Sequence, residues 1–89
     1  MAKSIISNEK QCFVCGSPYV HKHHVYGAAN RKLSEKYGCW VYLCPEHHTG
    51  NSGVHFDKEF NTELKKYTQR KFEETYDENF RSIFGRNYL

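Results

Sequence analysis

Apolar and polar positions alternate from Tyr19 to Tyr26 with β-branched residues among them, which predicts a strand. Gly27-Ala28-Ala29 turns the chain. Asn30–Tyr37 reads as a short helix, with Asn30 in the capping position and Gly38 as its stop. Trp40–Leu43, a short apolar and aromatic run, predicts a second strand. Pro45 suits the first turn of a helix carrying Glu46, His47 and His48, and Gly50-Asn51-Ser52-Gly53 breaks it. A longer helix is predicted from its cap Asp57 to about Tyr76. Phe60, Leu64, Tyr67 and Phe72 lie near one stripe of it, and Lys, Glu and Gln fill the other face. Asp77-Glu78 start one more short helix with Phe80, Ile83 and Phe84 as its apolar side and Gly85 as its end. The tail from Arg86 packs through Tyr88 and Leu89. Residues 1–11 are a polar leader, mobile at its start.

The order of strands and helices is that of an α+β chain. Its 89 residues predict one domain, with residues 12–56 as the core and residues 57–89 as a helical extension packed on it. So short a chain buries a modest core, and a stapling metal is expected. With 26% charged and 16% aromatic residues, the composition is that of a folded domain rather than a disordered one. No apolar run is long enough to span a bilayer, and MAKSIISNEK holds no stretch fit for a secretory signal. The expected location is the cytoplasm, where thiols stay reduced, so the four cysteines read as metal ligands before disulfides. Net charge is +3, and it is unevenly placed. Residues 1–56 hold six Lys/Arg against three Asp/Glu, whereas residues 57–89 hold seven of each. The excess accompanies the Cys/His segment, in agreement with a polyanionic partner.

Two pairs share one spacing: Cys12-x-x-Cys15 and Cys44-x-x-His47. Three thiolates and an imidazole on two knuckles suit a closed tetrahedral zinc site, with Gly16 relieving the backbone after Cys15. His47 is chosen over His48 because it repeats the two-residue gap, and helix neighbours point about 100° apart. Cys39 has no partner at ligand spacing and reads as a small core residue beside Trp40. His23, His24, His48 and His55 remain, with His21 an ordinary surface residue. On a strand His23 and His24 face opposite ways, so one can ligate a metal while the other acts on substrate or water. On one continuous helix His48 and His55 would stand roughly 10.5 Å apart, too far to share an ion. His55 becomes a ligand where the Gly50–Gly53 break folds the chain back; a purely structural histidine is the competing reading.

This arrangement resembles the HNH endonucleases of the His-Me finger group. The residues that carry the resemblance are Cys12-Phe-Val-Cys15, His23-His24-Val25 and Leu43-Cys44-Pro-Glu-His47-His48, in the family's order over roughly residues 12–56. Trp40-Val-Tyr-Leu-Cys44 looks like the small HNH proteins of phages and mobile elements, some of which act in recombination. The resemblance implies a zinc-stapled ββα-metal core and a metal-dependent DNA endonuclease. It implies His24 as the general base and His23, His48 and His55 as ligands of one catalytic divalent ion: Mg, Mn, Ni or Zn. The family's central Asn position falls on Cys39. Asn30 is the substitute expected to hold the loop to the base-bearing strand, with Asn51 second and a helix cap as the competing reading of Asn30.

Lys22, Arg31, Lys32 and Lys36 flank the proposed site and are candidates for DNA phosphates, against an ordinary solvated surface. Two rival readings stand beside the nuclease: a zinc-bound DNA-binding module without catalysis, and an interaction module among phage or recombination proteins. A second metal ion and phosphodiester cleavage separate the three.

Overall fold

The run Trp40–Leu43 forms a strand over its whole predicted length in the computed structural model, which describes residues 3–50 and 53–89. This strand, β2, pairs antiparallel with β1, His21–His24, in the register His21 to Leu43, Lys22 to Tyr42, His23 to Val41 and His24 to Trp40. β1 is shorter than the alternation from Tyr19 to Tyr26 predicts. Its partner offers four residues, and Pro45 just beyond has no N–H for a ladder. Downstream, the Val25 N–H still donates to the Cys39 carbonyl at 3.0 Å. Tyr26 then leaves the ladder for Ser34. Its N–H donates to Ser34 Oγ at 3.1 Å, and that hydroxyl donates to the Tyr26 carbonyl at 2.7 Å.

Between the strands, a 3₁₀ turn at Ala28–Asn30 leads into α1, Arg31–Tyr37, which ends at Gly38 with φ 74°. That left-handed cap favours glycine, and a Cβ there would also collide with the Lys3 carbonyl oxygen. From Lys3 onward the leader packs on the fold, and its first two residues, where mobility is expected, lie outside the described residues. Ser4 Oγ donates to the Trp40 carbonyl at 2.6 Å, and the Ile5 N–H donates to the Gly38 carbonyl at 2.9 Å. α2 is Pro45–His48, with Pro45 in its first turn.

α3, Lys58–Thr75, is capped by Asp57, whose carboxylate accepts from the Phe60 N–H at 3.0 Å. Its buried residues are Leu64, Thr68, Gln69 and Phe72. Tyr67, expected on that stripe, is exposed, and Thr68 takes its place by turning its hydroxyl onto the Leu64 carbonyl at 2.7 Å. α4, Phe80–Phe84, starts later than Asp77-Glu78 predict. The cap is Asn79, whose side-chain oxygen accepts from the Ser82 N–H at 3.0 Å.

The core is one apolar cluster that draws Val25, Tyr26, Val41 and Leu43 from the strand region and Leu64, Phe72, Phe80 and Phe84 from the C-terminal helices. Tyr26 is its hinge, packed on Phe80, Phe84 and Tyr88 at ring separations of 5.1, 4.8 and 5.3 Å. Gln69 holds the tail. Its amide donates to Asn87 Oδ1 at 2.6 Å, and its oxygen accepts from the Tyr88 N–H at 2.8 Å. Tyr88 packs as expected of the tail, whereas Leu89 stays half exposed. Among the described residues no helix is long and apolar enough to cross a membrane.

Candidate metal centres

The first site joins the N-terminal knuckle to the start of α2. The Gly16 N–H donates to the Cys12 carbonyl at 2.8 Å and the Cys12 N–H to the Ser17 carbonyl at 2.8 Å, closing a tight turn with Gly16 at φ 78°. Cys44 sits at the cap of α2, and one helical turn places His47 beside it. Ligand atoms of Cys12, Cys15, Cys44 and His47 all lie within 4.8 Å of one another, so this cluster could hold a structural metal ion. Cys15 Sγ and Cys44 Sγ are 3.7 Å apart, far outside the ~2.05 Å of a disulfide bond. Two thiolates at ~2.3 Å from a tetrahedral zinc stand ~3.8 Å apart, and a thiolate and an imidazole ~3.6 Å apart. The observed separations from His47 Nδ1 are 3.6 Å to Cys12 Sγ and 3.2 Å to Cys44 Sγ. The Cys12 thiol is lowered to about 6: burial opposes this, but the backbone N–H groups of Cys44, Cys15 and Val14 and the His47 ring outweigh it. A thiolate at neutral pH is the form a metal takes.

The second cluster stands on the far side of α2. After His48 the chain doubles back. The Val54 N–H donates to the His47 carbonyl at 2.9 Å and the His55 N–H to the His48 carbonyl at 3.3 Å. A Cβ on Gly53 would meet the His48 carbonyl oxygen at 2.7 Å, so this close return needs glycine. The turn sets His55 beside His48, with their Nε2 atoms 3.1 Å apart. His23 reaches them from β1, its ring 5.2 Å from that of His48 and 5.3 Å from that of His55. One nitrogen from each of the three rings falls within a 4.8 Å set.

These residues fit a metal on their own chemistry. His23 Nε2 is buried without a hydrogen-bond partner among the described residues. An orphaned buried nitrogen is costly unless something else takes its lone pair. Burial, reinforced by the charges of His48, His55, His24 and Lys65, pushes the His23 ring down to about 4. Burial and the neighbouring His55 and His21 lower His48 as well. Both are therefore neutral near pH 7, the ligand form. His21 stays on the surface, edge-on to His48 at 5.8 Å.

No protein-family model, curated protein or solved structure matches the chain.

His24 points to the opposite side of β1 from His23 and meets Glu35 of α1, Nε2 to Oε2 at 2.8 Å. Lys22, on the same side of β1, donates to Glu35 Oε1 at 3.1 Å and sits 4.2 Å over the Trp40 ring. The His24 and Lys22 side chains hold the Glu35 carboxyl below the usual carboxylate range. Lys22, a candidate for phosphate binding, is thus engaged within the fold. Arg31 and Lys32 are exposed at the start of α1, and Lys36 lies 5.3 Å over the Tyr37 ring.

A cleft of about 590 Å³ runs between β1, the start of α1 and α3. His23, His24, His48 and His55 line it together with Arg31, Asn61 and Lys65. Asn30 also lines the cleft, but neither expectation for its side chain holds. It stands at the cap of α1 without a capping bond, and its Nδ2 donates to the Phe84 carbonyl at 3.0 Å. It therefore braces the loop against α4 rather than against β1. Asn51 lies outside the described residues.

Sequence reasoning missed Glu35, Asn61 and Lys65. Glu35 carries a faint signal, being the sole acid between Glu9 and Glu46. Asn61 and Lys65 stand one helical turn apart, but nothing local says that this face of α3 turns to the cleft.

Proposed function

We propose that the chain is a metal-dependent DNA endonuclease of the HNH type, built on a ββα-metal core with a C-terminal helical extension. One observation carries the reading. A histidine held by a carboxylate, His24, lines the same cleft as three convergent imidazoles, His23, His48 and His55. Phosphodiester hydrolysis needs a base for water beside a group that neutralises phosphate charge.

On this reading Cys12, Cys15, Cys44 and His47 hold a structural zinc that fixes α2 against the knuckle. His23, His48 and His55 would hold a divalent ion, which supplies Lewis-acid stabilisation of the phosphate and of the leaving 3′ oxygen. Three imidazole ligands suit Mn, Ni or Zn better than Mg, which prefers oxygen donors. His24 accepts a proton from water, that oxygen attacks phosphorus in line as the bond to the 3′ oxygen breaks, and the departing oxygen takes a proton from solvent, leaving a 5′-phosphate and a 3′-hydroxyl. Arg31 and Lys65 add positive charge along the cleft for backbone phosphates. Lys32 and Lys36 extend it along α1, and such contacts are salt-sensitive and largely sequence-blind.

The test is nicking of supercoiled plasmid at low salt with Mg, Mn, Ni or Zn added, native protein against His24→Ala. The expected result is metal-dependent nicking by the native protein and its loss in a folded His24→Ala variant. Binding of DNA without cutting, from a folded zinc-loaded sample, points instead to a DNA-binding module. Neither binding nor cutting points to an interaction module.

A further inference from the structure

The carboxylate of Glu35 sits between two donors and treats them unequally. Lys22 Nζ lies 3.1 Å from Oε1 and 3.4 Å from Oε2, while His24 Nε2 lies 2.8 Å from Oε2. A carboxylate that is ionised accepts only, and an ammonium donates only. In the neutral imidazole the nitrogen facing Oε2 must then carry the hydrogen, which leaves the lone pair on Nδ1. Glu35 is held ionised by the two partners that flank it.

We infer that Glu35 is a positioning residue: it fixes His24 in the Nε2–H tautomer, so that Nδ1 is the nitrogen able to take a proton from water. The catalytic half of this inference rests on the hydrolase reading above; the tautomer half does not. Lys22 has a defined part. In Glu35→Gln only one oxygen remains, and Lys22, with no acceptor capacity, claims it. The amide NH₂ then faces His24 Nε2. Two donors cannot share that contact, so the ring hydrogen moves to Nδ1 and the lone pair leaves the working nitrogen. Lys22→Met keeps apolar cover over Trp40 and removes the competition. In the double variant Lys22→Met/Glu35→Gln the amide is free to rotate and accept from Nε2–H again.

The experiment is long-range proton–nitrogen correlation NMR of the histidine rings in zinc-loaded protein at pH 8, with His24 assigned by its loss in His24→Ala. Cleavage kinetics are measured on the same samples. Native protein is expected to show a protonated Nε2, Glu35→Gln a protonated Nδ1, and the double variant a return to Nε2. Wrong-tautomer loss of a general base lowers kcat by about 10²–10⁴-fold, with KM little changed, and the double variant recovers activity along with the tautomer. A native ring protonated at Nδ1 overturns the inference, as does a folded Glu35→Gln protein that keeps Nε2–H. A double variant that stays at Nδ1–H overturns the part given to Lys22. Reversal of the tautomer with undiminished kcat overturns the positioning role. If the native protein cuts nothing while the rings behave as stated, the hydrolase reading falls and the hold of Glu35 on His24 stands.

Discussion

With a structural metal ion at the Cys12, Cys15, Cys44 and His47 cluster, as proposed, its removal is expected to unfold the protein at physiological temperature. The clip joins chain segments far apart in sequence: Cys12 and Cys44 enclose a loop of about 30 residues. Closing a loop of that length is worth about 4 kcal/mol. This is a lower bound, because Cys12 and Cys44 are buried and would be left without their ligand. Set against a total of ~5–15 kcal/mol for a domain of this size, the loss is a large share. At ~4–8 °C per kcal/mol it corresponds to roughly 15–30 °C in melting temperature. The assay is far-UV circular dichroism through a thermal ramp, with metal content measured on the same sample before and after chelation, and Cys44→Ser as the covalent counterpart. The loss also propagates. Cys44 caps α2 and His48 ends it, so freeing the cap frees a member of the three-imidazole cluster. Chelation at the knuckle is therefore expected to weaken metal binding at the second cluster. A verified metal-free protein that melts within about 5 °C of the loaded one would refute this reasoning.

Gly53→Ala places a methyl group against the His48 carbonyl and Gly50 carbonyl oxygens, at 2.7 and 2.9 Å, and should cost about tenfold in affinity of the second ion, ~1.4 kcal/mol, by isothermal titration, with knuckle zinc retained. Phe72 is fully buried among the rings of Tyr37, Tyr76, Phe80 and Phe84, and Phe72→Ala should lower unfolding free energy in urea by ~3–5 kcal/mol. Burial pushes the Cys39 thiol up to about 12 from an ordinary 9. Above pH 9 the unfolded chain loses this proton while the folded one keeps it, so stability falls as pH rises from 9 toward 12, by at most ~1.4 kcal/mol per pH unit. Cys39→Ala should remove that part of the alkaline slope in urea titrations; an unchanged slope would assign it elsewhere.

What could be read from the chain in advance was what neighbours in sequence decide. Gly38 and Pro45 stop and start their helices through their own backbone geometry and Asp57 caps its helix through its carboxylate, and each does so in the fold. The knuckle was legible because ligand spacing is itself a local property: two intervening residues suffice to aim two side chains at one ion. The length of β1 was not, since a strand ends where its partner does, and the four residues of β2 are a fact about another segment. His55 was undecided because its place depends on how tightly the chain returns past Gly53, which only the backbone path reveals. The partner of Asn30 is hidden from the sequence for a related reason. The Asn30 amide finds the Phe84 carbonyl, which is distant in sequence and near only once α4 packs on Tyr26. Asn61 and Lys65 reach the cleft, and Glu35 reaches His24, through tertiary packing of whole helices, and no pattern of residue types along α3 marks Asn61 and Lys65 for it. Tyr67 and Thr68 exchanged places on α3 because a buried threonine can return its hydroxyl to the preceding turn, a local bond that hydrophobic patterning does not count.

The central claim is that the three imidazoles hold an ion beside a base and that the pair together hydrolyses DNA. It is tested most directly by titrating Mn into zinc-loaded native protein while following both bound metal and the single-turnover rate on a short DNA duplex, with His48→Ala in parallel. The account predicts one further ion per chain, a cleavage rate that rises in step with its occupancy, and a folded His48→Ala protein that keeps the zinc but loses both. Binding of the further ion without cleavage, or cleavage undiminished in His48→Ala, would contradict it.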